Sequence, residues 1–406
     1  MNPNSAKILV MCLADASKSP RPRRMIELCS SMGFEVEIMS FADKNSDNTT
    51  RRFSIPAPAT SLLYKVKWRI LGLLIALTPF EKIKIYFEKL RYGLTEVEKR
   101  LINESFDLLV VENLQLLPLA FGIKGNAKVL FDAREFYPRQ NEGEIWFELI
   151  EKKRRIQLCS EYLKRCDAVV TVSIGLMEEY RKCFGVTAEL FRSVPYYVNS
   201  DIHLTNPYRI RMVYHGVANR NRRLDNLIKI VSLLDDRFSL DLILVDNERY
   251  QRELKRKAAS VDRIVFKKPV PFNSIVSTLS QYDIGFFYYE PTGFNILHCL
   301  PNKFFEYIQA RLMLAIGPSP DMAQLVEEYK CGVVAESFSV DSMVKALNSL
   351  TTADIEHAKK QANLAATELC FEQESKKMKV LLKKLLNKDR EVSNENSVPC
   401  LRESVD

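Results

Sequence analysis

The sequence predicts an α/β protein made of two Rossmann-like, doubly wound parallel-sheet domains facing one another across a cleft. Three observations carry the prediction. Apolar runs of four to seven residues alternate with longer helical patterns through almost the whole length, which is the alternation that puts helices on both faces of parallel sheets. The periodicity lapses over 195–208, a stretch holding two prolines, and then restarts with a fresh strand, so the architecture runs twice. Finally, 406 residues exceed the roughly 200 to 300 that one core usually fills.

Each element follows from its own pattern. In the first half, strands are expected at 7–13, 35–41, 108–112, 128–132, 168–172 and 188–191, with helices between them. The first apolar run closes at Asp15, too short for a membrane span and weak as a signal peptide, and reads as the first strand. Residues 61–104 carry no strand. They open with Leu62, Leu63, Val66, Trp68, Ile70, Leu71, Leu73, Leu74, Ile75 and Leu77, interleaved with Lys65, Lys67 and Arg69. The apolar core at 70–77 cannot cross a bilayer and stops at Pro79. It suits a helix lying in a membrane interface, or one packed on its own domain, and both readings stay open. The second series runs 211–215, 240–245, 264–266, 284–288, 314–316 and 333–335. Beyond Val340 only helical patterns remain, in two blocks at 341–350 and 353–387. The expected domains are therefore 1–200, 209–352, a helical segment at 353–388 and a disordered tail at 389–406.

Composition narrows the class. Hydrophobic residues make up 47% and charged residues 27%, enough for a folded core. A net charge of +8 favours anionic partners such as phosphates, nucleotides or lipid headgroups. The basic residues are interspersed with acidic ones and no nucleic-acid-binding pattern is present, so nucleic acid is not an expected partner. Nine scattered cysteines without a Cys-x-x-Cys pair read as reduced cytosolic thiols, which points to a cytoplasmic location. No clustered Cys/His set and no Asp-x-Asp on a loop supports a metal site. Neither Gly-x-Gly-x-x-Gly, Gly-x-x-x-x-Gly-Lys-Ser/Thr nor Gly-x-Ser-x-Gly occurs, which counts against the usual nicotinamide or flavin sites, phosphate-loop kinases and hydrolase elbows.

The most informative segment is Pro301-Asn302-Lys303-Phe304-Phe305-Glu306-Tyr307. Pro301 and Asn302 suit a helix start, with Asn able to cap. Glu306 shares a helix face with Asn302 and Lys303, while Phe305 and Ile308 point to a core. A base, an amide and a carboxylate thus converge at a positive helix end, where a diphosphate and ribose hydroxyls can be held; a capped core helix with solvated charges is the rival reading. Tyr214-His215-Gly216 ends the first strand of the second half and leads through Asn219, Arg220, Asn221, Arg222 and Arg223 into a helix, with Gly216 allowing close approach to a ligand. Gly293, Asn295 and His298 precede the Pro301 helix and would line the same pocket. In the first half, Asp132, Arg134 and Glu135 follow a strand directly, as candidates to position an acceptor hydroxyl or act as base. An internal ion pair is the rival reading of that trio. The run Ser19-Pro20-Arg21-Pro22-Arg23-Arg24 could receive an acidic group or decorate a solvated helix start.

With these residues the chain resembles the GT-B glycosyltransferases, specifically family 4-like bacterial enzymes that build surface polysaccharides. The likeness spans about residues 7–385 and rests most specifically on the Pro301–Tyr307 motif, with support from Glu112-Asn113-Leu114, Asp132-Ala133-Arg134-Glu135 and Tyr214-His215-Gly216. The resemblance implies transfer of a sugar from a nucleoside-diphosphate donor to a saccharide or lipid-linked acceptor in capsule, O-antigen or exopolysaccharide synthesis. It also implies retention at the anomeric carbon, no bound catalytic metal and no cofactor beyond the donor. The second domain would bind the donor, Glu306 the ribose and Arg222 or Arg223 the diphosphate, while the first domain would receive the acceptor at the inner face of the cell membrane. Two departures stand out. His298 occupies the position eight before Glu306 where the family often has a first glutamate, and Arg134 replaces a histidine of the strand-end motif. A non-hydrolysing nucleotide-sugar epimerase and a catalytically degenerate binding subunit remain rivals.

Overall fold

The computed structural model describes residues 5–41, 51–57, 61–76, 78 and 80–395. The chain divides into two compact units. The first comprises Met1–Thr171, Met177–Phe191 and Ser375–Asp406; the second comprises Val172–Leu176 and Arg192–Glu374.

The first unit is built on seven parallel strands, β1 (Lys7–Met11), β2 (Glu35–Phe41), β3 (Arg52–Ile55), β4 (Leu108–Val111), β5 (Lys128–Ala133), β6 (Ala168–Thr171) and β7 (Glu189–Leu190), in the order β3-β2-β1-β4-β5-β6-β7. Ile8 of β1 aligns with Val36 of β2 on one side and Leu108 of β4 on the other. The β1 and β4 strands are buried on both faces, which is why they read as continuous apolar runs. The helices of this part of the chain are α1 (Pro20–Ser31), α2 (Leu62–Ala76), α3 (Glu81–Arg91), α4 (Thr95–Leu101), α5 (Leu117–Ile123), α6 (Lys152–Tyr162) and α7 (Ile174–Phe184). A five-residue π-helical turn, Phe147–Glu151, leads into α6.

The second unit has six parallel strands, β8 (Ile210–Val217), β9 (Phe238–Val245), β10 (Ile264–Lys267), β11 (Ile284–Phe287), β12 (Met313–Ile316) and β13 (Gly332–Val334), ordered β10-β9-β8-β11-β12-β13. Its helices are α8 (Asp225–Leu233), α9 (Glu248–Lys257), α10 (Ile275–Leu279), α11 (Phe294–Leu297), α12 (Asn302–Gln309), α13 (Pro320–Tyr329), α14 (Val340–Asn348) and α15 (Thr352–Glu368). A last helix, α16 (Phe371–Glu395), starts in this unit and from Ser375 onward belongs to the first, where Met378, Leu381, Leu382 and Leu385 are buried. The helix therefore continues past the point where the sequence suggested a tail at 389; residues 396–406 lie outside those described.

All twelve expected strands are present, and among the described residues of 61–104 there is no strand. The unexpected strand is β3. Its sequence alternates Arg, Phe, Ser and Ile over four residues, as an edge strand with one covered face does, and offers no apolar run to detect.

Candidate functional site

In the second unit the chain winds outward from β8 through β9 to β10, then returns to β8's other side with β11. The strand order reverses between β8 and β11, and in open α/β sheets ligands bind at the carboxyl ends of strands beside such a reversal. β8 pairs with β9 along its full length but with β11 only at Met212 and Val213. Tyr214, His215 and Gly216 therefore stand at the crest with their β11 side unpaired by strand.

Lys303 enters beneath this crest from the first turn of α12. Its ammonium donates to the His215 carbonyl at 2.6 Å and lies 4.1 Å from the centre of the Tyr214 ring. Burial pulls the Lys303 pKa below its ordinary value, the nearby Tyr214 partly opposing the shift and Arg222 reinforcing it. Arg222 comes from the turn after β8, a 3-10 turn capped by the Asn219 side chain, which accepts from the Asn221 amide at 2.9 Å. Neither Lys303 nor Arg222 has a carboxylate within ion-pair distance among the described residues. The Tyr214 hydroxyl is buried close to both cations yet lacks a well-aligned hydrogen bond. Burial pushes that phenol up, and the Lys303 ammonium and Arg222 guanidinium more than reverse it, leaving its pKa below the ordinary value. Gly216 is required here: its φ is +125°, and an added Cβ would sit 2.8 Å from the Lys303 ammonium. The two expected basic residues are thereby distinguished. Arg223 is exposed, left-handed in backbone and paired with Asp225 at 3.6 Å, whereas Arg222 faces the Lys303 cluster.

Glu306, one turn after Lys303, is also buried. Its Oε2 lies 3.2 Å from His215 Nε2, without the alignment of a hydrogen bond. Tyr307 places its ring edge-on to His215 at 5.3 Å. Asn302 does not cap α12: Pro301 occupies the cap position in an extended conformation, Asn302 is the first helical residue, and its side-chain oxygen accepts from the Ser193 hydroxyl at 3.0 Å. Next to this cluster a recess of about 120 Å³ is lined by His215, Gly216, Ile243, Val245, Pro269 and Val270, together with two residues of α10.

Sequence reasoning put Gly293, Asn295 and His298 in the pocket of the Pro301 helix; none of the three lines this recess, and the partner of His298 was missed. Asp321, in the first turn of α13, is buried; one oxygen lies 2.8 Å from His298 Nδ1 and the other accepts the Gly175 amide at 2.9 Å. A Cβ on Gly175 would collide with the His298 ring at 2.0 Å, so the imidazole is fixed from two sides. No spacing pattern joins positions 298 and 321; an acidic residue in the first turn of a Pro-initiated helix is the one available signal.

In the first unit the trio Asp132, Arg134 and Glu135 falls at the end of β5. Asp132 is fully buried, and both its oxygens are held by Arg21 at 2.6 and 2.7 Å. The guanidinium also donates to the Phe191 carbonyl at 3.0 Å. The arginine-rich helix start is thus neither solvated nor open at Arg21; the internal ion pair is the structure's answer for Asp132. Arg134 is part-exposed and 3.7 Å from Glu112, and Glu135 accepts from Gln140 at 2.8 Å, with burial raising its pKa. Glu112 sits at the end of β4, beside this sheet's own reversal between β1 and β4. Both its oxygens are buried without a hydrogen bond. Burial, helped by the Asp132 charge and opposed by Arg134 and Arg21, lifts its pKa to about 8.

The sequence matches no protein-family model and no curated protein. Solved structures do match. Sucrose-phosphate synthase from Thermosynechococcus elongatus is 12% identical, with 94% of this chain and 100% of that one covered and a TM-score of 0.66. HepE of Anabaena, solved with UDP and glucose, is 11% identical over 93% of this chain and 100% of that one, with a TM-score of 0.66. A variant of S. aureus TarM, in complex with Fondaparinux, alpha-GlcNAc-glycerol and UDP, is 10% identical over 94% and 100%, with a TM-score of 0.65. At these identities the likeness establishes architecture: the chain has the GT-B fold.

Proposed function

We propose that this chain is a glycosyltransferase that moves a sugar from a nucleoside-diphosphate donor to a saccharide or lipid-linked saccharide, in the synthesis of a bacterial surface polysaccharide. The observation that carries the reading is the pairing of Lys303 and Arg222, two cations with no carboxylate partner among the described residues, around the crest of β8 at a strand-order reversal. A diphosphate supplies the missing negative charge. Glu306 is proposed to accept from ribose hydroxyls, and the recess beside Gly216 to take the nucleobase. That neighbours of the same fold were solved with UDP supports this assignment.

In the proposed reaction the acceptor oxygen bonds to the anomeric carbon while the bond from that carbon to the β-phosphate oxygen breaks. Charge grows on the departing phosphate, where Lys303 and Arg222 stabilise it. The acceptor's proton passes to that phosphate, so the step asks for no protein nucleophile and no metal, and attack from the phosphate's own face gives retention. Arg134 and Glu135 of the first unit are proposed to hold the acceptor.

The test is thermal denaturation with UDP, GDP and ADP and their common sugar conjugates, followed by product analysis. One nucleotide at about ten times its Kd should add about 1.4 kcal/mol, a shift of about 3 to 6 °C. No shift with any of them at millimolar concentration, in a folded sample, overturns the reading. Conversion of the donor sugar without an acceptor overturns it in favour of an epimerase.

A further inference from the structure

The α2–α3 pair carries an apolar surface that the first unit does not use. One face of α2 is covered. Tyr64 donates to the Arg91 carbonyl at 3.1 Å, Trp68 meets the Phe87 ring at 5.3 Å, and Gly72 lies against Ile150 and Phe87. The opposite face is just as apolar and faces solvent: Leu63, at 84% exposure, Val66, Ile70, Leu73 and Leu74 repeat at intervals of three and four. On α3 the exposed stripe is Ile83, Tyr86 and Leu90, and beside the π-helical turn Ile145, Trp146 and Leu149 extend it. Large exposed apolar patches mark interaction surfaces.

Charge decides between occupants. The two helices hold seven basic residues against two acidic ones in a chain whose total excess is eight, and two of the seven, Lys89 and Arg91, are paired with Glu98 and Glu151. One of the two acids, Glu88, is buried. Lys67 and Arg69 flank the apolar stripe, the Lys67 ammonium 5.9 Å from the centre of the Trp68 ring and the Arg69 guanidinium 5.5 Å from that of Trp146. A second copy of the chain would bring the same basic fringe against itself, whereas an anionic lipid headgroup layer complements it. No helix among the described residues is long and apolar enough to cross a membrane.

We propose that the α2–α3 face lies flat on an anionic phospholipid bilayer, its apolar stripe among the acyl chains and Lys67 and Arg69 at headgroup phosphates. This binding stands independently of the transferase reading. The experiment is flotation of the full chain with phosphatidylcholine vesicles, with and without about one third phosphatidylglycerol. Flotation should be at least about tenfold stronger with the anionic lipid and fall with salt. A Leu63→Ser/Ile70→Ser/Leu74→Ser variant should lose flotation, and Lys67→Glu/Arg69→Glu should lose the anionic preference, both with unchanged melting temperature because the side chains are exposed. Wild-type chain that stays unbound on anionic vesicles overturns the proposal, as does a triple-serine variant that floats equally well. A dimer by light scattering that the triple-serine variant dissolves, with no flotation, assigns the face to a second copy instead.

Discussion

Replacing Arg222 by glutamine isolates the electrostatic core of the proposed donor site. The guanidinium makes no ion pair among the described residues, and its side chain is half-buried against Tyr214, so the fold asks little of it. Its removal also eases the burial of Lys303, whose charged form the neighbouring guanidinium disfavours. The ligand-free protein should therefore melt within about 0.5 kcal/mol of the parent. A charge-assisted hydrogen bond contributes about 1.5 to 3 kcal/mol, so loss of one to a diphosphate oxygen weakens binding by about 2 kcal/mol, roughly 30-fold in Kd. Arg222→Lys keeps the charge but loses the planar fork, and should fall between the two. Titration calorimetry with the nucleoside diphosphate found in the donor screen reads all three proteins. A Kd for Arg222→Gln within threefold of the parent would refute the assignment, which gives that guanidinium a direct bond to the diphosphate.

Two further outcomes follow from neighbouring features. Gly216→Ala introduces a Cβ where φ is +125° and 2.8 Å from the Lys303 ammonium. It should cost about 1 to 3 kcal/mol in stability by denaturant unfolding and also impair donor binding, since Lys303 can yield only by leaving the His215 carbonyl; a stable variant with parental affinity would contradict this. Glu112, whose pKa rises from 4.5 unfolded to about 8 folded, binds a proton more readily in the native state. The native state thus holds more protons across that window, and stability should fall with rising pH by up to about 1.4 kcal/mol per unit, levelling off above it. Glu112→Gln should remove that slope and be the more stable protein at pH 9, the gap closing toward pH 4; parallel melting curves for the two across this range would show that Glu112 is ionised throughout.

The strands were legible because each parallel strand buried on both faces writes a continuous apolar run, and the Pro301 segment because its chemistry is packed into seven consecutive residues. What the sequence hid depends on strand order. Arg21 meets Asp132 across 111 positions, and His298 meets Asp321 across 23, because α1 and α13 begin where other strands end. Local patterning carries no information over such distances, so the sequence left Asp132 open between chemistry and an internal ion pair, and only the fold supplies Arg21 as its partner. Glu112 escaped as a titrating group for the same reason: a lone acid ending an apolar run looks like the start of a loop until the strands beside it remove its water. The α2 helix is the converse case, its doubled apolar face visible in sequence but its covered and uncovered sides assigned only by the packing of Trp68 on Phe87.

The return of α16 to the first unit has a consequence for how the molecule is made. During synthesis the sheet of the first unit emerges before the sheet of the second, yet Met378, Leu381, Leu382 and Leu385 join that unit only after the whole of the second has been read. The unit begun first is finished last, and a nonsense mutation after Glu374 would damage the half of the protein farthest from it along the message.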